Sequence, residues 1–208
     1  MLRSLTRHHS SRRMGARRGV SLIEASVVLG VAGSIIGGLW MVMASVRENS
    51  RATTLVQQTI LTVKGVRDYY AGLALPTGVA GETTAATYTA TLRAASVFPE
   101  DMCPANCVSG TVTNIYNVYG GTTLVNIVNS SPYTNFNIAH SSLSLRGCMQ
   151  AIMNLGAKSS EMGLVSVTVG SGTTRSSFPV DPATVQTDCT PLAPATTVTL
   201  NLVFKVRG

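Results

Sequence analysis

The sequence has few charged and few aromatic residues for a chain of 208 residues. Charged residues make up 12% of it and aromatic residues 5%, whereas a soluble domain normally carries about 25% charged residues. Grooves that bind nucleic acid combine distributed basic residues with aromatic stacking platforms, so this composition argues against nucleic-acid binding by the folded part. Hydrophobic residues nevertheless reach 45%, which argues against a disordered chain. The length predicts one globular domain with at most one long accessory element.

Groups that could carry catalysis or hold a metal are also scarce. The chain has three histidines, His8, His9 and His140, and lacks a glycine-rich phosphate loop followed by lysine. Its acidic residues occur singly except for Glu100 and Asp101, so no nucleophile with an oriented base can be assembled from the pattern. We therefore predict no catalytic residue, no cofactor and no metal, and we interpret His140 as a surface or structural residue.

The positive charge of the chain is concentrated at its N-terminus. The formal net charge is +7, and residues 1–19 contain six arginines and no acidic residue. Removing these six from the sixteen basic residues leaves ten, against nine acidic ones, for residues 20–208. The basic balance therefore indicates a targeting segment and not a basic surface on the folded part.

A long apolar segment follows the arginines directly. Residues 20–46, the apolar segment, comprise 27 residues, of which only Glu24 is charged. About 20 apolar helical residues suffice to cross the hydrocarbon layer of a membrane, so this segment can cross one, with the arginines on the cytoplasmic side. It is longer than the apolar core of about 7 to 15 residues in a cleavable secretory signal. Trp40 near its distal end suits either the membrane interface or ordinary packing.

Glu24 is the anomaly of the apolar segment. A carboxylate near the middle of a spanning helix costs about 2.5–3.5 kcal/mol on insertion scales, and no Lys, Arg or His lies within residues 20–46 to pair with it. Two interpretations stay open on these residues alone. Glu24 marks the edge of the membrane and stays among the headgroups, or it needs a partner that its own helix does not supply.

The residues around Glu24 resemble the leader junction of a known protein family. The string RRGVSLIE at residues 17–24, followed by an apolar helix, is similar to the class III leader junction of type IV pilins. The resemblance implies that a prepilin peptidase cuts after Gly19 and that the new N-terminal residue, Val20, is N-methylated. It also implies that the amino group of Val20 forms a salt bridge with Glu24 of a neighbouring subunit in the filament.

Three details of the N-terminal region point to the type IVb branch of this family. The leader is long, the first residue after Gly19 is not phenylalanine, and residues 27–30 read VVLG. The absence of any proline before Pro76 agrees with this branch. This branch includes toxin-coregulated, bundle-forming and conjugative thin pili. Farther along the chain the resemblance lies in the general arrangement of the segments. It includes the string SVFPEDM at residues 96–102 and the final region with two cysteines.

The helical pattern continues beyond the apolar segment. Apolar residues recur at spacings of three and four from Ala52 to Tyr70, with charged and amide residues between them, which is typical of an amphipathic helix. We predict a single helix over residues 20–71, ended by Gly72 and Pro76. Its second half needs a protein surface to cover the apolar stripe. The alternative is a signal anchor followed by a juxtamembrane stalk.

Residues 72–208 are predicted to form a head domain of the α+β class with an antiparallel sheet. A surface loop is expected at 76–87, a short helix at 89–97, and a second helix from Leu145 to about Gly156. Gly120 and Gly121 indicate a hairpin. Together with the long helix, the resemblance implies the pilin fold. Segments rich in Val, Thr and Tyr predict strands at 111–119, 122–128, 164–169 and 198–206.

All four cysteines lie in the predicted head. An even count in a compartment outside the cytoplasm favours disulfides over thiols, and the sequence alone allows three pairings. The resemblance implies a bridge from Cys148 to Cys189, and Cys103 then pairs with Cys107 across a tight turn. The competing interpretation of Cys103 and Cys107 as half of a metal site lacks a nearby histidine.

The resemblance implies a structural subunit and not an enzyme. The implied chain is a prepilin that crosses the inner membrane once, with its N-terminus inside, and later forms an extracellular homo-oligomeric helical filament for adhesion, aggregation or conjugative contact. The implied partners are the prepilin peptidase, an inner-membrane assembly platform and an assembly ATPase, and the mature domain binds no nucleic acid. Two alternatives stay open: a minor pilin or type II secretion pseudopilin, and a signal-anchored periplasmic binding domain.

Overall fold

The computed structural model describes residues 21–71, 85–103, 114–128, 135–191 and 195–206. The chain divides into two compact units, residues 1–43 and residues 44–208. The long helix α1 (Leu22–Tyr70) begins in the first unit and ends in the second. It contains no proline, which is consistent with the uninterrupted run of backbone hydrogen bonds that a helix needs.

The second unit is an α+β domain built on one antiparallel sheet. The sheet has six strands in the order β1-β2-β3-β6-β4-β5, and every pair of neighbours is antiparallel. The elements that follow α1 in the described ranges are α2 (Ala85–Ala94), a 3-10 turn (Glu100–Met102), β1 (Ile115–Tyr116), β2 (Thr122–Ile127), β3 (Asn135–Leu143), α3 (Leu145–Ala157), α4 (Ser159–Met162), β4 (Leu164–Val169), β5 (Thr174–Arg175), α5 (Pro182–Cys189) and β6 (Val198–Lys205).

The centre of the sheet is the pair formed by β3 and β6. Side chains alternate between the core and the outer face along both strands, as the pleat of a strand requires. Phe136 and Phe204 lie opposite each other in the register, and their rings stack with centroids 5.8 Å apart. Ile138 and Leu202 form the next such pair, and both are fully buried. These pairs form the middle of the core against which the helices of this unit pack.

The long helix and the antiparallel sheet confirm the predicted fold class. Helix α3 and strands β2, β4 and β6 lie within one or two residues of their predicted bounds. The hairpin at Gly120 and Gly121 also forms, with β1 and β2 on either side and Gly120 at a φ of +78°.

Several local predictions differ from the structure. Of the strand predicted at 111–119, the described residues from 114 onward form only the two-residue strand β1 (Ile115–Tyr116), and the residues after it enter the turn. Residues 85–87 were predicted as loop and residues 89–97 as helix, whereas α2 spans Ala85–Ala94. Strand β3 was missed because asparagine, alanine and serine occupy its outer face, and these residue types are rare in strands; its two neighbours supply the stabilisation. Helix α5 was not predicted, although Asp181 caps its first turn by accepting from the N–H groups of Ala183 and Thr184 and Pro182 occupies its first position.

Candidate assembly site

The described residues of the first unit form one apolar helix, and almost all of its side chains are exposed. Ile23, Leu29 and Met41 are 73%, 71% and 78% exposed, and the most apolar stretch of α1 has a mean hydropathy of 2.1 with none of it buried. Each large apolar side chain left in water forgoes about 1.5–3 kcal/mol of burial free energy. This part of α1 is therefore a candidate membrane anchor, and it requires lipid or other helices around it.

Glu24 lies in the first turn of α1 and is exposed. In the described ranges, no hydrogen bond or ion pair is recorded for its side chain. The predicted partner of its carboxylate is the amino group of Val20 on a neighbouring subunit, and both Gly19 and Val20 lie outside the described residues. Cleavage after Gly19, methylation of Val20 and the salt bridge to Glu24 thus stay predictions.

The glycines of the first unit leave room for another helix. A Cβ added at Gly30, Gly33, Gly37 or Gly38 meets no atom within 4 Å. The spacing of three and four between Gly30, Gly33 and Gly37 places them on one face. Small residues on one face let the backbones of two apolar helices approach closely, so this face is suited to helix–helix packing.

Within the second unit, the remainder of α1 is held in part by residues 96–102, which the sequence analysis had noted only as part of the family resemblance. Gln58 donates a hydrogen bond from Nε2 to Asp101 at 2.6 Å and accepts one from the backbone N–H of Val118 at 3.2 Å. Thr62 donates to the sulfur of Met102 at 3.8 Å. Both Gln58 and Thr62 are buried. The string at residues 96–102 is thus a docking segment for α1.

His140 joins α1 to the sheet. It is fully buried on β3, with Nε2 3.0 Å from the hydroxyl of Thr59 and Nδ1 3.0 Å from that of Thr123. Thr59 donates its only hydroxyl proton to the carbonyl of Leu55, so Nε2 carries the imidazole proton and Nδ1 accepts from Thr123. Burial lowers the pKa of His140 to about 4. The residue is structural and neutral at physiological pH.

A second connection fixes α1 to the start of α3. The carboxylate of Glu48 accepts hydrogen bonds from the hydroxyls of Ser144 and Tyr119. Ser144 in turn caps α3 by accepting from the N–H of Gly147 at 3.0 Å. A Cβ at Gly147 would lie 2.5 Å from the Tyr119 hydroxyl, so only glycine allows this approach. Burial and the Glu48 carboxylate raise the pKa of Tyr119 to about 12, and the phenol stays a hydrogen-bond donor.

The C-terminal half of the head is closed by a disulfide. Cys148 on α3 and Cys189 at the end of α5 are bonded; they lie 41 positions apart in sequence, and their Cα–Cα distance is 5.9 Å. Both are fully buried. This is the pairing that the resemblance implied. Cys103 is also disulfide-bonded, but Cys107 lies outside the described residues, so the pairing of these two stays a prediction.

The described side chains do not assemble a reaction centre. Among them, no group of three His, Cys, Asp or Glu residues is arranged to hold a metal ion. The one ion pair recorded there, Arg175 with Asp188 at 2.9 Å, ties β5 to α5. What the arrangement provides is an exposed apolar helix and a folded head that holds the second half of that helix.

A family model described as PilS N terminal matches residues 45–202. Because this match covers most of the sequence, the chain belongs to that family. The crystal structure of the type IV b pilin from Salmonella typhi superposes with a TM-score of 0.54 at 20% sequence identity, covering 75% of this chain and 99% of that one. The chain therefore has the fold of a type IVb pilin, and the predicted family is confirmed.

A second solved structure is similar at a lower level. It is TcpA, a type IV pilin from Vibrio cholerae El Tor biotype, with a TM-score of 0.46 and 12% identity over 74% of this chain and 97% of that one; this likeness is too weak to carry an argument. Among curated proteins, none matches the sequence significantly. Family and fold together are those of pilus subunits, which are structural proteins and not enzymes.

Proposed function

We propose that this chain is the prepilin of a type IVb pilus. In this proposal the leader is removed after Gly19, Val20 is N-methylated, and residues 20–46 hold the subunit in the inner membrane with its N-terminus inside. The subunits then polymerise into an extracellular filament. The observation that carries the proposal is the first unit's apolar helix, exposed on all sides and interrupted by the single acid Glu24.

The exposed helix explains why such a subunit polymerises. In lipid its apolar side chains are covered, and leaving lipid for water would forgo that burial. Leaving lipid for a bundle of identical helices keeps the side chains covered, and the glycines at 30, 33 and 37 permit close contact. A filament core made of these helices therefore covers the apolar side chains as the membrane does.

Glu24 supplies the specificity of this step. Cleavage after Gly19 creates a cationic amino group at Val20, and a neighbouring Glu24 becomes its partner. Removing one member of a buried ion pair costs about 3–5 kcal/mol because the other charge is stranded. A helix that enters the bundle in the wrong register leaves both charges unpaired, so the pair favours one register.

The proposal includes further partners and a role outside the cell. A prepilin peptidase produces the new N-terminus, and an inner-membrane platform with an assembly ATPase provides the mechanical work of extraction. The filament serves adhesion, aggregation or conjugative contact. The resemblance at residues 17–24 supports these assignments, together with the family match over residues 45–202.

The decisive experiment replaces Glu24 with glutamine in the native host. We expect E24Q to be processed and inserted in the membrane but to yield about 100-fold fewer sheared filaments, the equilibrium equivalent of about 3 kcal/mol. The matched control is E161Q, which removes an exposed acid on α4 and should leave the yield unchanged. Normal filament yield from E24Q contradicts the proposal.

Mass spectrometry of the protein from its host tests the processing step independently. We expect a chain that begins at methylated Val20. An intact Met1, or a cut near the distal end of the apolar segment, would instead identify a signal-anchored periplasmic domain. Sparse incorporation into filaments built mainly of another subunit would identify a minor pilin, and a short periplasmic filament would identify a secretion pseudopilin.

A further inference from the structure

Two exposed arginines follow the apolar segment directly. The first charged residues after Glu24 are Arg47, Glu48 and Arg51. Arg47 and Arg51 are four residues apart, so they lie on one face of α1, and both are exposed. In the described ranges, neither is recorded in a hydrogen bond or an ion pair.

The acid between them forms no ion pair with either arginine in the described ranges, and the three residues together keep a net charge of +1. The carboxylate of Glu48 is engaged by the hydroxyls of Ser144 and Tyr119 within the head. An arginine side chain keeps its guanidinium charged at any physiological pH and binds phosphate through two parallel N–H bonds. The pair therefore presents two exposed guanidinium groups that can bind phosphate immediately beyond Val46, the last residue of the apolar segment, although Arg51 also interacts electrostatically with Tyr119.

We propose that Arg47 and Arg51 bind the phosphates of anionic phospholipids in the outer leaflet of the membrane that holds the unassembled subunit. This inference rests on the proposed membrane-held state. The apolar segment is about 40 Å long at about 1.5 Å per residue, whereas the hydrocarbon layer is about 30 Å thick. Composition alone therefore does not fix which residues of the segment occupy the membrane. The arginine pair fixes which residues lie in the membrane, because it sets the depth of the distal end of the apolar segment.

The consequence for assembly is an exchange of partners. Basic residues at an anionic surface gain about fivefold in lipid association per residue. A subunit that leaves the membrane gives up these phosphates, so anionic lipid holds it in the bilayer until it joins other helices. The lipid composition of the outer leaflet thereby regulates how readily subunits leave.

Trp40 makes the proposal measurable. It is the single tryptophan of the chain, its side chain is 75% exposed, and it lies seven residues before Arg47 in sequence. The full chain is reconstituted in vesicles of phosphatidylcholine and phosphatidylglycerol at equal amounts, and bromine is placed at the same acyl position on one lipid or the other. Quenching of Trp40 then reports which lipid surrounds the distal end.

We expect brominated phosphatidylglycerol to quench Trp40 clearly more than brominated phosphatidylcholine. In R47Q/R51Q this preference should disappear, and in the native chain it should fall in 1 M salt, where the Debye length is about 3 Å. The matched control K64Q/R146Q removes two other exposed charges and should keep the preference. The leader arginines end at Arg18, more than 20 residues before Trp40, and are identical in all samples.

The possible results separate this inference from the proposed function. Equal quenching by both lipids, or a preference that survives in R47Q/R51Q, overturns the lipid site and leaves the pilin proposal intact. Absence of quenching by either lipid shows that residues 20–46 do not enter the bilayer and overturns both. The salt dependence of the native chain needs no variant, so the test does not depend on how R47Q/R51Q folds.

Discussion

The two parts of helix α1 differ in which side chains they bury: the first part exposes apolar side chains, and the second part buries several polar ones. Up to Met43 most of its side chains are apolar and exposed, whereas from Ala44 onward the buried set includes the polar residues Gln58, Thr59 and Thr62. The second part meets its own head domain, and every one of these three polar groups has a hydrogen-bond partner there. The large apolar side chains of the first part are exposed. The same secondary structure thus packs into a protein interior in its second part and presents exposed apolar side chains, as a candidate membrane anchor does, in its first part.

The comparison predicts that changes in the head act on folding and that changes in the first unit act on assembly. The chain carries separate reporters for the two parts. Its only tryptophan is in the apolar segment, whereas all six tyrosines follow Arg67 in the sequence. Near-ultraviolet circular dichroism of the tyrosines therefore follows the head, and fluorescence of Trp40 follows the first unit.

The largest effect on the head should come from the disulfide. Replacing both Cys148 and Cys189 with alanine opens a loop of 41 residues, and the chain-entropy model gives a loss of about 4 kcal/mol. Denaturant unfolding in detergent, followed by the tyrosine signal, measures it. Trp40 fluorescence should not change at low denaturant. An unfolding midpoint equal to that of the native chain would show that the bridge does not constrain the head.

A smaller loss is expected from Thr89. Its hydroxyl donates to the carbonyl of Val125 at 3.0 Å and accepts from the N–H of the same residue at 2.8 Å, so α2 covers the edge of β2. Thr89→Val leaves two buried backbone groups of Val125 without these bonds, at a cost of about 1–3 kcal/mol. Thr89→Ser keeps the hydroxyl and is the control. Equal stability of the valine and serine variants would contradict this assignment.

The stability of the head should fall at mildly acidic pH because of His140. Its folded-state pKa is about 4 and the unfolded value is about 6.5, so the unfolded state binds the proton more readily. The contribution is complete above about pH 6.5 and is lost as pH falls toward 4. We expect a loss of about 2 kcal/mol at pH 5.

The measurement is the unfolding midpoint between pH 7.5 and pH 5, compared with that of His140→Gln. The glutamine variant is expected to be less stable at pH 7.5 because it disturbs the bonds to Thr59 and Thr123. It should also lack most of the pH dependence in this range. A native chain whose midpoint is flat between pH 7.5 and pH 5 would show that His140 titrates normally.

The smallest effects come from a matched pair of glycines on α1. A Cβ at Gly65 would lie 2.6 Å from the carbonyl oxygen of Val97, whereas a Cβ at Gly33 meets no atom within 4 Å. Gly65→Ala should therefore destabilise the head by about 1–2 kcal/mol, since overpacking outweighs the gain in helix propensity. Gly33→Ala should leave head stability unchanged and, in our proposal, lower filament yield. Destabilisation of the head by Gly33→Ala would contradict the separation of the two parts.

The regular parts of this protein were predictable because their patterns are local. The apolar segment, helix α3 and strands β2, β4 and β6 follow from periodicity and composition. Strand β3 was not predictable in this way, because its outer-face residues are poor strand formers and its position depends on β2 and β6 on either side. The role of residues 96–102 was equally hidden, since Asp101 and Met102 meet α1 only after the chain folds back.

The sequence by itself determined the length of α1, its apolar first part, the single acid in that part and the leader motif before it, because each of these depends on neighbouring residues only. The tertiary structure decided which polar residues of α1 become buried, how His140 and Glu48 are satisfied, and which cysteine pairs with Cys148. The physical reason is that hydrogen bonds and disulfides between residues distant in sequence are selected by the packing of the whole head.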